Sequence, residues 1–344
     1  MRHLLATSVL ATALWTVVPP GKACTRVLWN DNGVAVVVAR TMDQQEPDHA
    51  EIVFSPAGTA RDGMPGAARS RKWTSQYASV AVLSFGKNIT DGMNEKGLSV
   101  QSLWLDATEY EKSDDRPVVS YNHWAEFMLD NFPTVNEALG SLETFRLVPE
   151  SIRDAIAPLH FCLEDASGDS AIIEYVQGKM TVYHGHQYTV MTNEPTLPEQ
   201  LANLKRYRLF GGNLSMPGDV DPVSRFVRAS SYLKTLPKPH DDIEAVAGIY
   251  SVIRTAAVPF GAMDTSGNNP KYGWPMDGWP TLWFALSDLT NRIFYFQATN
   301  NAHVFWVEFK NLQMQKGSPL LKIDANDKTL AGDISGTLKA HPAE

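Results

Sequence analysis

The chain has 344 residues, 44% of them hydrophobic and 20% charged, with a formal net charge of −8. That is an ordinary globular mixture, long enough for one large domain or two small ones, and it excludes a disordered or fibrous chain. The acidic balance gives no electrostatic reason to bind nucleic acid and little attraction to anionic membrane surfaces.

Residues 1–23 read as a secretory signal peptide. Arg2 and His3 make a short positive start, Leu4 to Val18 is largely apolar, and Pro19, Pro20 and Gly21 break any helix. Gly21 and Ala23 then place small residues three and one positions before Cys24, the pattern of a cleavage site. The apolar run is too short to span a bilayer comfortably, and no later segment reads as a transmembrane helix. The expectation is a periplasmic or secreted protein whose residues 24–344 form one catalytic domain. Loss of Arg2 and Lys22 brings its charge from −8 to −10. The competing use of a Cys at this point is a lipid anchor, which would make the chain a lipid-anchored periplasmic binding protein. Anchor signals normally carry Leu three positions before the Cys, where this chain has Gly21.

Thr25 to Asn30 and Val34 to Arg40 are strand-like runs around Asp31-Asn32-Gly33, a strong hairpin signal. A two-residue Asn-Gly turn sets Cys24 opposite Thr41; a three-residue loop sets it opposite Arg40. Either register brings Arg40 and Asp43 close to Cys24, and the first puts Asp43 on its face. Val80 to Ser84 and Leu98 to Leu105 continue as strands. Tyr121 to Phe132 has helical spacing of Trp124, Phe127, Met128 and Leu129, and Thr134 with Glu137 forms a capping box for a second helix. Four strands follow, at His160 to Leu163, Ser170 to Tyr175, Lys179 to Tyr183 and Tyr188 to Thr192. Helices are expected near Glu199 to Tyr207, Val223 to Leu233 and Asp241 to Arg254. Strands at Leu282 to Ser287, Arg292 to Ala298 and His303 to Glu308 close the fold, and the last twenty residues read as peripheral. This alternation predicts antiparallel sheets between helical layers.

A cysteine attacks as its thiolate, and a guanidinium such as Arg40 would lower its pKa. If Cys24 begins the mature chain, its own α-amine can take the thiol proton and later hand it to a leaving amine. Asp43 is placed to hold that amine. No Gly-x-Ser-x-Gly elbow and no His-Glu-x-x-His zinc motif occurs. His184 and His186 lack an evident third ligand, so neither metal nor cofactor is expected.

Cys24, Arg40, Asp43 and the run Asp91-Gly92-Met93-Asn94-Glu95-Lys96-Gly97-Leu98 resemble the choloylglycine hydrolase family of bile salt hydrolases and penicillin V acylases. Met191 to Pro195 and Ser224 to Arg228 continue the resemblance in the same order. It implies an N-terminal-nucleophile hydrolase with an αββα sandwich, α+β in class, in which Cys24 attacks a linear amide. It implies that Asn193 and the backbone N–H of Trp104 form the oxyanion hole and that Arg225, with Arg228 as the alternative, is the distal arginine. On the residues alone, Asn193 could equally cap the following helix, Arg225 be a surface charge and Trp104 plain core. Many bile-acid-specific members have Asn where Trp104 stands, so the expected substrate carries an apolar acyl group, as in penicillin V or N-acyl-homoserine lactones, with conjugated bile salts the alternative. Gln44-Gln45-Glu46 replaces a frequent aromatic. The resemblance also implies a homotetramer, although the Asn193–Arg225 interval is shorter than in Gram-positive relatives, whose insertion there helps assemble one. Together with the signal peptide, that interval resembles the Gram-negative branch.

Overall fold

A computed structural model describes residues 24–150, 156–260, 262 and 279–340. The expected signal peptide, residues 1–23, lies outside the described residues. One sheet has seven strands in the order β14 (Val190–Thr192), β1 (Cys24–Trp29), β2 (Val37–Asp43), β15 (Thr281–Asp288), β16 (Ile293–Ala298), β17 (Phe305–Glu308) and β19 (Gly332–Asp333). The other has nine: β13 (Lys179–His184), β12 (Ser170–Val176), β11 (Leu159–Glu164), β8 (Ser99–Trp104), β7 (Asn88–Asn94), β6 (Ser79–Ser84), β3 (Glu51–Ser55), β18 (Leu321–Asp324) and β20 (Lys339–Ala340). Two small ribbons, β4 (Ala60–Asp62) with β5 (Lys72–Thr74) and β9 (Val118–Ser120) with β10 (Arg146–Val148), lie beside them.

The sheets pack face to face between helices, which is the expected αββα sandwich. Helices α4 (Pro222–Thr235) and α5 (Asp242–Arg254) bury Phe226, Ala229, Ala245, Ile249 and Ile253 against the seven-stranded sheet. Helix α1 (Tyr121–Asn131) buries Trp124, Phe127 and Met128 against the nine-stranded sheet, followed by α2 (Val135–Ser141). Thr134 caps α2 by accepting from the Glu137 N–H. Between α3 (Leu197–Leu204) and β14 lies the short segment carrying Asn193.

The hairpin register differs from both sequence-based readings. Cys24 pairs with Met42, and the last pair is Trp29 with Val37. The cause is Asn32. Its carboxamide folds inward, accepting from the N–H groups of Val34 and Ala35 and donating to the Ala35 carbonyl. This closes a loop over residues 30–36 in place of a tight Asn-Gly turn. By strand alternation Cys24, Arg26, Arg40 and Met42 face the second sheet, whereas Thr25, Thr41 and Asp43 face the helices. Asp43 therefore does not share the face of Cys24.

Inside the sandwich Arg26 reaches across to Glu164 at 2.6 Å, both fully buried, and also donates to Ser170 Oγ and the Tyr188 carbonyl. A buried pair of this kind adds little net stability but sets one relative position of the two sheets. It fixes β1, and with it Cys24, against the opposite layer. The last twenty residues are less peripheral than expected: β19 pairs with β17, and β20 pairs with β18.

Candidate active site

Cys24 opens β1 at 7% exposure, with its thiol toward the inter-sheet space. Arg40, two residues before Cys24's partner on β2, reaches it from the same face with Nη2 3.4 Å from Sγ. The guanidinium is locked in place: Nε donates to the Thr41 carbonyl, Nη1 to the Thr90 carbonyl, and the group lies over the Trp283 ring at 5.1 Å. Burial pushes the Cys24 thiol up, and Arg40 opposes this by favouring the thiolate. The Asp43 carboxyl adds to the upward push and Arg225 to the downward one.

The main-chain nitrogen of Cys24 donates to Asn193 Oδ1 at 2.5 Å. Asn193 is fully buried, and Thr196, not Asn193, caps α3. Its Nδ2 donates to the Trp104 carbonyl at 2.8 Å, using one of its two hydrogens. Trp104 sits where β8 passes the end of its neighbour. The Leu105 N–H bonds across to Pro158 beside β11, so the alternation of an antiparallel ladder turns the Trp104 N–H and C=O the other way, toward Asn193. The indole lies half-buried at the cavity wall, donating to Asp106.

The structure separates the two arginines. Arg225 is fully buried: Nη1 donates to the Cys24 carbonyl at 2.8 Å and to Thr25 Oγ1, and Nη2 to Asn193 Oδ1 at 3.1 Å. Arg228 turns away and donates to the carbonyls of Thr255 and Asp219. Asp43 does not hold the Cys24 nitrogen as expected, because it lies on the helix-facing side. Its carboxyl accepts from Thr281 Oγ1 at 2.6 Å and Thr41 Oγ1 at 3.2 Å, and lies 3.7 Å from Arg225 Nη1. Burial lifts its pKa to about 7 against the pull of Arg225. Cys24, Arg40, Asp43, Trp104, Asn193 and Arg225 are thus brought together around one sulfur.

A cavity of about 280 Å³ opens beside that sulfur, with Met42, Phe85, Leu103, Trp104 and Leu159 among its walls and Gln44, Gln45 and Glu46 at its side. Sequence reasoning missed Asp91, which lies behind Arg40 opposite Gln101; burial lifts its carboxyl to about 8, opposed by Arg40. It also missed Asn88 and Ser102 in the cavity wall. Asp91 belonged to a quoted motif, and a carboxylate inside an apolar strand was the available signal. Cys162 is buried on β11 with Sγ 3.0 Å from Gln101 Oε1. His184 bonds Asp169, and no cluster suited to a metal occurs among the described residues.

Comparison with known proteins agrees with this geometry. The model of the linear amide C–N hydrolases, choloylglycine hydrolase family, matches residues 24–329. A penicillin V acylase from Pectobacterium atrosepticum is 35% identical over an alignment covering 98% of this chain and 96% of that protein. A bile salt hydrolase/transferase from Clostridium perfringens is 26% identical over 66% of this chain and 76% of its own. The solved penicillin V acylase from Agrobacterium tumefaciens superposes with a TM-score of 0.81 at 36% identity, covering 92% of this chain and 98% of that one. The chain belongs to the choloylglycine hydrolase family of linear amide C–N hydrolases, of the penicillin V acylase and bile salt hydrolase type.

Proposed function

We propose that this enzyme is a penicillin V acylase-like hydrolase acting through Cys24 as the N-terminal residue of a mature chain, and that it also deacylates N-acyl-homoserine lactones. The observation carrying this reading is the double placement of Cys24: its nitrogen on Asn193 Oδ1, its sulfur between Arg40 and a largely apolar cavity. The family match begins at residue 24, which supports cleavage there. The two penicillin V acylases at 35% and 36% identity support the substrate class.

In this mechanism the α-amine, oriented by Asn193, takes the thiol proton as sulfur attacks the amide carbon. The carbonyl oxygen becomes an oxyanion, met by the second Asn193 Nδ2 hydrogen and the Trp104 N–H. The C–N bond breaks as the ammonium protonates the leaving amine. The amine then deprotonates a water that hydrolyses the thioester, releasing the acid and regenerating the thiol. Arg225 and Asp43 hold the Cys24 main chain and Asn193 in register without touching the reacting atoms.

Export to the periplasm or outside the cell, one catalytic domain from Cys24 and a homotetramer belong to the same reading. Exposed Leu209, Leu214, Met216 and Tyr232 on and beside α4 support a subunit contact. N-terminal sequencing of active enzyme, with turnover of penicillin V, glycocholate and a long-chain acyl-homoserine lactone, tests the proposal. An active chain starting anywhere but Cys24 would overturn the mechanism. Glycocholate outpacing the other two would overturn the substrate assignment.

A further inference from the structure

The buried Arg40 guanidinium directs its hydrogens at two carbonyls, those of Thr41 and Thr90, and at two sulfurs, Cys24 Sγ at 3.4 Å and Met42 Sδ at 3.6 Å. The Thr90 carbonyl is available because the β6–β7 ladder shifts register: Val82 pairs with Asp91 and Leu83 with Ile89, leaving Thr90 as an extra residue. The remaining support is the Trp283 ring on β15, 5.1 Å away, 1% exposed and outside the cavity wall. That indole is itself held. Its Nε1 donates to Asp48 Oδ2 at 2.8 Å, and the same oxygen accepts from Ser84 Oγ at 2.7 Å. Ser84 Oγ lies 3.2 Å from Thr90 Oγ1, so the contacts close on the residue whose carbonyl takes Arg40 Nη1. Asp48 is 2% exposed between β2 and β3, and its carbonyl accepts from the Phe85 N–H at 2.7 Å.

A carboxylate in contact with Arg40 would satisfy the buried cation but offset the charge that favours the thiolate. An indole face attracts the same cation through its quadrupole, without a net charge, and more strongly where water is excluded. A carboxylate bonded to the indole N–H polarises the ring and makes that face more negative. The charge of Asp48 thus reaches Arg40 through a neutral ring, and the guanidinium keeps its own charge for the sulfur. We infer that Trp283 and Asp48 are positioning residues for the nucleophile, holding Arg40 with Nη2 aimed at Cys24 Sγ without pairing it to a carboxylate. The inference rests on the reading that Cys24 is the nucleophile. The other charged groups facing Cys24 are Asp43 at the end of β2 and Arg225 on α4, and Asp91 on β7 faces Arg40.

Three variants test it. Trp283→Leu removes the ring, Trp283→Phe keeps a weaker face without the N–H, and Asp48→Asn keeps an acceptor for the indole and Ser84 but loses the charge. Alkylation of Cys24 by iodoacetamide is followed from pH 5 to pH 10 in the active enzyme, beside steady-state kinetics on penicillin V. The alkylation rate at pH 7 should fall by about tenfold in Trp283→Leu and by less in the other two, each profile moving to higher pH. kcat should fall in step while KM holds, because neither residue touches the cavity, and the deficit should narrow as rising pH ionises the thiol unaided. Acting directly through space, loss of the Asp48 charge would instead move the thiol to lower pH. Asp48→Asn added to Trp283→Phe should give no further shift, since its effect passes through the indole. Folded Trp283→Phe and Asp48→Asn proteins with the wild-type profile, or one moved to lower pH, overturn the positioning role whatever their melting temperatures. Turnover by wild-type enzyme whose Cys24 is fully alkylated overturns the nucleophile reading instead.

Discussion

Arg40→Gln removes the positive charge nearest the nucleophile while leaving a side chain of similar reach. At the observed 3.4 Å, the attraction between guanidinium and thiolate is about 1 kcal/mol at the dielectric of water and about 5 kcal/mol at an effective dielectric of 20. Both groups are buried, so the upper part of that range applies, and the thiolate population near neutral pH should fall by at least about tenfold and by up to about a thousandfold. The sign is fixed: a cation favours the thiolate, so its loss moves the thiol's titration, and the acid limb of activity, to higher pH. Alkylation of Cys24 by iodoacetamide, followed by peptide mass from pH 5 to pH 10, reads this directly. Fully buried Cys162 supplies an internal unreactive thiol. The variant also leaves the buried Thr90 carbonyl without its donor, costing about 1–3 kcal/mol of stability, so melting is recorded alongside. Arg40→Lys keeps the charge and should recover much of the reactivity. Wild-type alkylation at pH 7 by a folded Arg40→Gln protein would refute the electrostatic account.

Asn193→Asp keeps an acceptor for the Cys24 nitrogen and Arg225 but loses the amide donor; kcat should fall by about 10²–10³ with little change in melting temperature, whereas Asn193→Ala should lower both. Equal melting losses in the two variants would reduce Asn193 to a structural role. Trp104→Ala keeps the backbone donor and should alter the preference among acyl groups far more than kcat on a preferred one, as steady-state kinetics on two acyl sizes will show. Asp91→Asn tests linkage. The folded-state pKa of about 8 lies above the unfolded value near 3.8, so the folded wild type holds an extra proton between them and loses stability as pH rises through that window. The variant's stability relative to wild type should therefore climb from pH 4 to about pH 8, and urea unfolding at pH 5 and pH 9 giving the same difference would count against it.

Much of the layer order was legible because the apolar patterns are local. The strands around Val80 to Ser84, Leu98 to Leu105 and Ser170 to Tyr175, and the helices near Tyr121 and Asp241, stand within a few residues of their expected ends. The hairpin register failed on a single side chain. Asn32 looked like half of an Asn-Gly turn, yet its carboxamide closes a wider loop and moves the partner of Cys24 to Met42. The same slip of register explains Asp43, which a period-two pattern turned to the opposite face. The strand β3 and the C-terminal strand β18 were missed because each completes its pairing with residues far away in sequence.

The contacts that complete the site are separated widely along the chain. Cys24 meets Asn193 across 169 positions and Arg225 across 201, and Asp43 meets Thr281 across 238. The catalytic arrangement therefore cannot exist in a partly made or partly folded polypeptide. An emerging chain on the ribosome holds Cys24 long before it holds the arginine that pins its carbonyl or the threonine that orders Asp43. Loop closure over such spans comes late in folding, after local helices and hairpins. Amide hydrolase activity is accordingly a sensor of global completion, and a cleaved or truncated chain lacking residues beyond 280 should retain the thiol and lose the enzyme.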